Sequence, residues 1–411
     1  MRMSILEQTA LVKESIARLD HWMTRYGWAG YDPYDLKQHP FLSSTSGSAF
    51  SKRVLRQILL ITESFFPSIP RKALRIPKTV NPKAMGLFAA GYQVLYEATR
   101  NTTYLEKAQR ALQWLEENPC QGYDGLCWGH PFSWQSKILI PKDTPSSVIT
   151  AIIGDAFWRF YQSTQDHRFL HHCQSICEFF LRNLNIDVLE EDSLCFSKTP
   201  LDHFHIHNGN LFVADFLIKV GKISGRKDYL EMAEKALTYT LKQQNEDGSF
   251  CYWGKDQEKE CKIDHYHAGF EIRSLHSMWK STGEKGIYEA LRKCYRFYCE
   301  NLFTSEGYPK MRPQSLYPIN IHSCAEAILC HSTLAPDFSE TLSYLGRCVP
   351  WILKTMQHPE GWFIYMVRKA KTGFDWKLKI PYIRWGQAWM LRALAECYAL
   401  ILKGEESRSI S

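Results

Sequence analysis

Apolar residues recur at spacings of three and four along most of the chain, as in Leu230, Ala233, Leu237 and Leu241, the pattern of helices with one buried face. The helices come in pairs. First members are predicted over residues 84–99, 148–164, 209–224, 268–282, 322–334 and 384–402, and second members over 104–117, 169–184, 229–244, 288–302 and 339–356. Between the two members stands a short turn with a hydroxyl residue, followed by an aromatic-plus-aliphatic start. Thr99 precedes Tyr104-Leu105, Thr164 precedes Phe169-Leu170, Ser224 precedes Tyr229-Leu230, and Thr282 precedes Ile287-Tyr288. An acidic residue and a glycine close the pairs at Asp124-Gly125, Asp247-Gly248, Glu306-Gly307 and Glu360-Gly361. The repeat length, about 60 residues, is that of two helices and two connections.

Repeated helical hairpins must stack to bury their faces. The pattern therefore predicts an all-α fold, an (α/α)6 toroid, as a single domain over residues 1–403 with a flexible tail over 404–411. A helix over residues 5–25 supplies the sixth partner and closes the ring. A further apolar-periodic stretch over residues 50–66 leaves a seventh hairpin open. Turns inside a pair are short and ordinary, whereas the connections leading into first helices carry Trp, His, Asp and Arg, as in CWGHPFSWQSKILIPKDTP, LDHFHIHNGN, CKIDHYHAG, SLYPINIHS and IPYIRWGQ. One kind of connection gathers at one end of a toroid, so the chemistry is expected there.

Composition narrows the function classes. Thirteen Trp and twenty-one Tyr suit either glycan clefts or aromatic cores. The net charge of +7 comes from 50 basic and 43 acidic residues that are interspersed, which shows no nucleic-acid stripe and mildly favours an anionic partner such as a uronic-acid glycan, a nucleotide sugar or a membrane surface. Neither a Walker A loop nor GxGxxG is present, so nucleotide and dinucleotide chemistry are excluded and no cofactor is expected. The thirteen cysteines are scattered, mostly within apolar helical segments such as those of Cys294, Cys299, Cys324 and Cys330, which fits a reducing cytosol. The N-terminus lacks the apolar core and cleavage site of a signal peptide, and no run is long enough to cross a bilayer, so a cytoplasmic protein is expected.

Several constellations are candidates for chemistry. In RWGQAW, Trp385 and Trp389 suit the apolar face of a pyranose, and Arg384 and Gln387 suit hydroxyls or a carboxylate; the alternative is a pair of core indoles. In IDHYHAGFE, Asp264, His267 and Glu271 form an acid/base set, with His267 and Glu271 one helical turn apart, unless Asp264 only caps the helix. Asp32 and Asp35 in GYDPYD offer two carboxylates of the kind glycoside hydrolysis uses, or local partners for backbone N–H groups. His203, His205 and His207 alternate, but a fourth ligand is missing and no metal is expected. Substrate contacts are assigned to Trp128, Trp134, His207, Asn208, Asn210 and His322, the last paired with Glu326 at the spacing of His267 and Glu271.

Taken together, GYDPYD, CWGHPFSWQ, HNGN, QNEDGSF, IDHYHAGF, YPINIHS and RWGQAW resemble a group of bacterial polysaccharide-biosynthesis proteins of the six-hairpin glycosidase-like superfamily. The resemblance covers most of the chain and implies the toroid and a place in extracellular-polysaccharide production. Asn320 stands where members of the group tend to carry Asp. The segment RWGQAW is also similar to the RGQAW of unsaturated-uronide hydrolases. These resemblances imply a glycoside hydrolase-like enzyme acting on a glycan or lipid-linked sugar, in contact with biosynthesis machinery. A sugar epimerase or isomerase using His267 and His322, and a non-catalytic glycan-binding scaffold, stay open beside it.

Overall fold

A computed structural model describes residues 5–36, 39 and 50–409. Six inner helices form a closed ring: α4 (Pro82–Thr99), α6 (Ser147–Thr164), α8 (His207–Ser224), α10 (His265–Thr282), α12 (Ile321–Leu334) and α14 (Trp389–Ser409). Each packs on the next, and α14 packs on α4. The outer layer is α5 (Thr102–Glu117), α7 (His167–Asn183), α9 (Lys227–Lys242), α11 (Lys285–Asn301), α13 (Thr341–Met356) and, against α14, α1 (Ile5–Tyr26). The fold is the (α/α)6 toroid. Helix α2 (Phe50–Phe65) lies outside the ring with the short α3 (Ser68–Ala73), so the hairpins number six. Helix α14 continues through residues 404–409.

Burial explains why the two layers read differently in sequence. Inner helices are covered on every side, and α4 is buried without a break from Pro82 to Leu95. Outer helices bury one stripe, which in α5 is Ala108, Ala111, Leu112 and Leu115. The hydroxyl of each intra-pair turn bonds back to a carbonyl four residues earlier: Thr99 to Leu95, Thr164 to Phe160, Ser224 to Val220 and Thr282 to Met278. The next residue takes the left-handed conformation that ends the helix, as Gly225 and Gly283 do.

The acidic-Gly turns lock each hairpin to the next. Gly125 lies against Ser175 and Phe179 of α7, Gly248 against Lys293 of α11, Gly307 against Arg347 of α13, and Gly361 against Arg18 of α1. This last contact joins the end of the chain's repeat to its beginning. Gly248 and Gly361 have φ of +91° and +103°, and a Cβ on either would meet a backbone oxygen at 2.4 and 2.3 Å.

Short strands, which helical periodicity does not predict, decorate the connections. β1 (Ala29–Gly30) pairs with β2 (Thr79–Val80), β3 (Trp134–Gln135) with β4 (Leu139–Ile140), and β5 (Ile186–Glu190) with β6 (Ser193–Phe196), all antiparallel. A three-stranded sheet joins β7 (Ile319–Asn320), β8 (Met366–Lys369) and β9 (Asp375–Leu378). Cys251 and Cys261, which lie in a connection rather than a helix, form a disulfide that the expectation of a reducing cytosol did not include; the other eleven cysteines are free.

Gly248→Ala combines backbone strain with a carbonyl clash and is expected to cost about 1–3 kcal/mol. Gly283→Ala, at φ +75° with open space around it, is expected to cost only about 1 kcal/mol. Urea denaturation of the two variants checks the order, and equal losses would mean that the turn does not lock neighbouring hairpins.

Candidate active site

Inner helices all run the same way, so their N-termini meet at one mouth of the ring. A cavity of about 610 Å³ opens there, lined by Lys83 at the start of α4, Val148 and Ile149 of α6, Asn208 of α8, Tyr266, His267 and Phe270 of α10, and His322 of α12. The connections add Tyr34, Trp134, Lys198, Tyr252, Asp264, Arg384 and Trp385.

The helix starts place the reactive groups. Asp264 is the N-cap of α10, where Oδ1 accepts the N–H of His267 at 3.1 Å while Oδ2 bonds Nδ1 of the same imidazole at 2.7 Å. Capping and orienting are thus one residue's work. The carboxylate holds the Nδ1–H and leaves Nε2 free to exchange a proton. His322 follows the cap Asn320 on α12, is 2% exposed, and neither ring nitrogen has a hydrogen-bond partner within the protein. Tyr266 stands between the two imidazoles, stacked on His322 at 4.4 Å and 4.3 Å from His267. Burial first, then Lys83 and Arg384, push His322 well below the usual histidine range, so it is neutral. Asn208 Oδ1 is another buried, unpartnered atom of this cavity.

Residues 383–388 form a π-helical turn ahead of α14, with both Gly386 and Gln387 N–H directed at Tyr382 O. Such turns re-aim side chains at functional sites. Here the turn sends Arg384 and Trp385 to the cavity and Gln387 to the backbone of Phe363, which it bonds at both N and O at 2.8 Å. Asp32 grips Arg384 in a bidentate pair at 2.5 and 2.8 Å, both groups buried. Asp35 is held by Arg71 at 2.9 Å and accepts the Asp32 N–H.

Several expected site residues are corrected by their surroundings. Glu271 does not orient His267; it is 1% exposed, does not line the cavity, and burial followed by Asp264 raises its carboxyl well above the usual range. Glu326 likewise serves Arg273, at 2.6 Å, rather than His322. Asp32 and Asp35 each pair with an arginine, Arg384 and Arg71. Arg384 is already saturated on one edge by Asp32 and is not a free fork for a uronate. Trp128 is fully buried, bonding Leu115 O and stacking on Phe157. His207 stacks on Tyr239, and Asn210 bonds Phe196, Ala236 and Thr240. His203 and His205 share the carboxylate of Asp187. Among the described residues no group of three or more His, Cys, Asp or Glu is arranged to hold a metal ion. Asp264, His267, Trp134, Asn208, His322, Arg384 and Trp385 do meet in the cavity.

Sequence reasoning missed Lys83, Lys198, His130, Tyr34, Tyr252 and Tyr266. Lys198 Nζ sits 4.6 Å over the ring of Trp134, which stacks on Tyr34. Burial is the main force lowering Lys198, to about 8, and with Arg384 it outweighs the opposing Asp202. Lys83, covering Trp389 at 5.4 Å, is pushed well below the usual lysine range by burial and by Arg384 and Lys198. The mouth is electropositive from Arg384 and Lys198 and from the helix N-termini. At the opposite mouth a cavity of about 510 Å³ is lined by the later turns of the inner helices, where ion pairs such as Arg159–Asp155 and Lys219–Asp215 sit; cations suit helix C-termini.

No protein-family model matches the chain, and no curated protein matches it in sequence. Solved structures do match in fold. Cellobiose 2-epimerase from Bacillus thermoamylovorans superposes with a TM-score of 0.59 at 13% identity, over 77% of this chain and 87% of that one. A family 88 glycosyl hydrolase from Bacteroides vulgatus gives 0.56 at 12% identity, over 84% and 99%. The family 76 α-mannanase of Bacteroides thetaiotaomicron gives 0.56 at 11%, over 80% and 86%. The fold is that of the six-hairpin toroid enzymes.

Asp32→Asn leaves Arg384 a buried cation without its counter-ion and is expected to lose about 3 kcal/mol of stability, read by thermal unfolding. A loss of turnover with unchanged stability would return Asp32 to the acid/base role. For Lys198 the sign is that of a depressed base, charged below pH about 8 and neutral above it. Glucuronate affinity should therefore fall as pH rises through about 8 while glucose affinity stays flat, and Lys198→Met should abolish the difference. Calorimetric titration of both sugars checks it.

Proposed function

We propose that the protein is a carbohydrate-processing enzyme that transfers a proton at the carbon beside a sugar carbonyl, as an epimerase or isomerase does. The observation that carries this reading is the pair of imidazoles in one cavity, His267 held by Asp264 and His322 neutral with both ring nitrogens unpartnered. The likeness in fold to an epimerase supports it.

In the open-chain sugar, the bare nitrogen of His322 takes the C–H proton from one face. The C–H electron pair forms the C=C bond of an enediolate, and the carbonyl π pair moves to oxygen, where Arg384 and Lys198 oppose the charge. His267, its Nδ1–H held by Asp264, gives a proton from Nε2 to the opposite face as the oxygen pair re-forms the carbonyl, so the configuration at carbon inverts. His322 then holds the proton taken from carbon while His267 has lost one, and exchange with solvent resets the pair. Trp134, Trp385 and Tyr34 supply flat surfaces for the sugar ring, and Asn208 a hydrogen-bond acceptor. An anionic sugar such as a uronate suits the basic mouth, and the sequence resemblance supports a role in cytoplasmic polysaccharide production.

Hydrolysis has less support. It needs two carboxylates flanking one bond, and the acids that line this cavity, Asp264 and Glu260, are bonded to His267 and Lys262. Incubation with reducing sugars in deuterium oxide should give an epimer or isomer carrying solvent deuterium beside the carbonyl. His322→Asn and His267→Asn should each lower that exchange about a hundredfold or more with the fold intact. New reducing ends without deuterium at carbon would show a hydrolase instead.

A further inference from the structure

We infer that the protein docks on anionic lipid bilayers through the apolar face of α2 and the tip of the β8–β9 hairpin. This inference is independent of the reaction proposed for the cavity. Helix α2 is strongly amphipathic, yet its apolar stripe of Val54, Ile58, Ile61 and Phe65 is 42–58% exposed instead of facing the toroid. Phe66 and Ile69 extend the stripe at 50% and 53% exposure. The hairpin tip adds Phe374, 61% exposed. The two elements are fastened into one surface: Trp376 packs edge-on against Phe65 and Phe66, its Nε1 donates to Phe65 O at 3.2 Å, and Arg368 donates to Ser64 O at 2.9 Å. Isolated exposed apolar residues are ordinary, but a continuous ridge of aromatic and branched side chains marks an interaction surface.

Charge selects the occupant. The hairpin sequence KAKTGFDWKLK, residues 369–379, holds four lysines, all exposed, and one acid, Asp375, already paired with Lys369 at 3.0 Å. Lys72 at the end of α3 and Arg75 and Lys78 beyond it are exposed. Helix α2 adds Arg56, and its acid Glu63 turns to Arg71. A two-fold contact with a second copy would set lysines against lysines. An anionic headgroup layer instead meets the basic margin while the aromatic ridge enters the acyl boundary, the arrangement of an interfacial helix. No helix among the described residues is long and apolar enough to cross a membrane, so this is docking on the surface.

The patch also reaches toward the cavity. Arg71 of α3 bonds Asp35 and the carbonyl of Asp32, whose carboxylate grips Arg384.

The test is cosedimentation of the full chain with vesicles of phosphatidylcholine alone or mixed with phosphatidylglycerol. Binding is expected only to the mixed vesicles and should weaken with added salt. Each lysine near an anionic surface contributes about fivefold in partitioning, so Lys371→Glu with Lys377→Glu should reduce binding by more than about tenfold, and Ile58→Ser with Phe374→Ser should reduce it comparably. Thermal unfolding of both double variants, whose sites are exposed, reports whether they fold, and the charge variant alone suffices if the apolar one does not. Absence of the full chain from the mixed-vesicle pellet, equal binding to both vesicle types, or full binding by a folded charge variant overturns the inference. So does a stable dimer in sedimentation velocity that Ile58→Ser with Phe374→Ser dissolves, since the face would then join two copies.

Discussion

A helical hairpin cannot bury both of its faces alone, and the demand that the ring of hairpins close governs everything else in this molecule. Closure makes the inner helices parallel, because each is followed by an outer helix that returns the chain to the same end. Parallel inner helices put all of their N-termini, with their unpaired N–H groups and positive dipole ends, at one mouth. Side-chain caps satisfy some of these groups on three of the helices, supplied by Asn81, Asp264 and Asn320. Asp264 shows how a structural obligation becomes chemistry. A cap needs one carboxylate oxygen, and the second is left to orient His267.

Positive potential at that mouth sorts the ionisable groups. Arg384 is buried, so it requires a counter-ion, and Asp32 is recruited from the turn between α1 and α2. Once Asp32 is bound in this way it is a fixture of the site wall, and Tyr34 beside it is positioned by the same turn, its N–H donating to Asp32. The remaining bases feel Arg384 without an acid of their own, which drives Lys83, His130 and His322 toward their neutral forms. Neutral imidazole is the form that can accept a proton from carbon. Burial, which excludes water from His322, and charge, which keeps it deprotonated, act in the same direction.

The fold was legible because its signals are local and repeated: the three-four periodicity, the hydroxyl turns and the acidic-Gly closures each have one physical cause that recurs. Even the role of residues 5–25 as ring-closing partner could be read, since an odd helix was otherwise left over. The site was legible only as far as chain neighbours determine it. Asp264 and His267 are three residues apart and do meet, whereas Glu271, one turn from His267, is drawn into the interior. The pairs Asp32–Arg384 and Glu326–Arg273 span 352 and 53 residues, and no spacing in the sequence announces them. Lys83 and Lys198 were missed for the converse reason. Each is one lysine in an unremarkable context until the ring brings it over an indole.

The same difference separates the carboxylates of this mouth from its imidazoles. A sequence rich in conspicuous Asp and Glu near aromatic motifs suggests glycoside hydrolysis, but a buried carboxylate in a basic neighbourhood is captured by whichever arginine can reach it, because an unpaired buried charge costs several kcal/mol. Asp32, Asp35 and Glu326 are all captured in this way. An imidazole has no such obligation, since it can be buried neutral at far lower cost and keep a lone pair exposed to a cavity. The groups that stay available for chemistry in an electropositive, water-poor mouth are therefore histidines, and His322 stands where that selection leaves one with both nitrogens uncommitted.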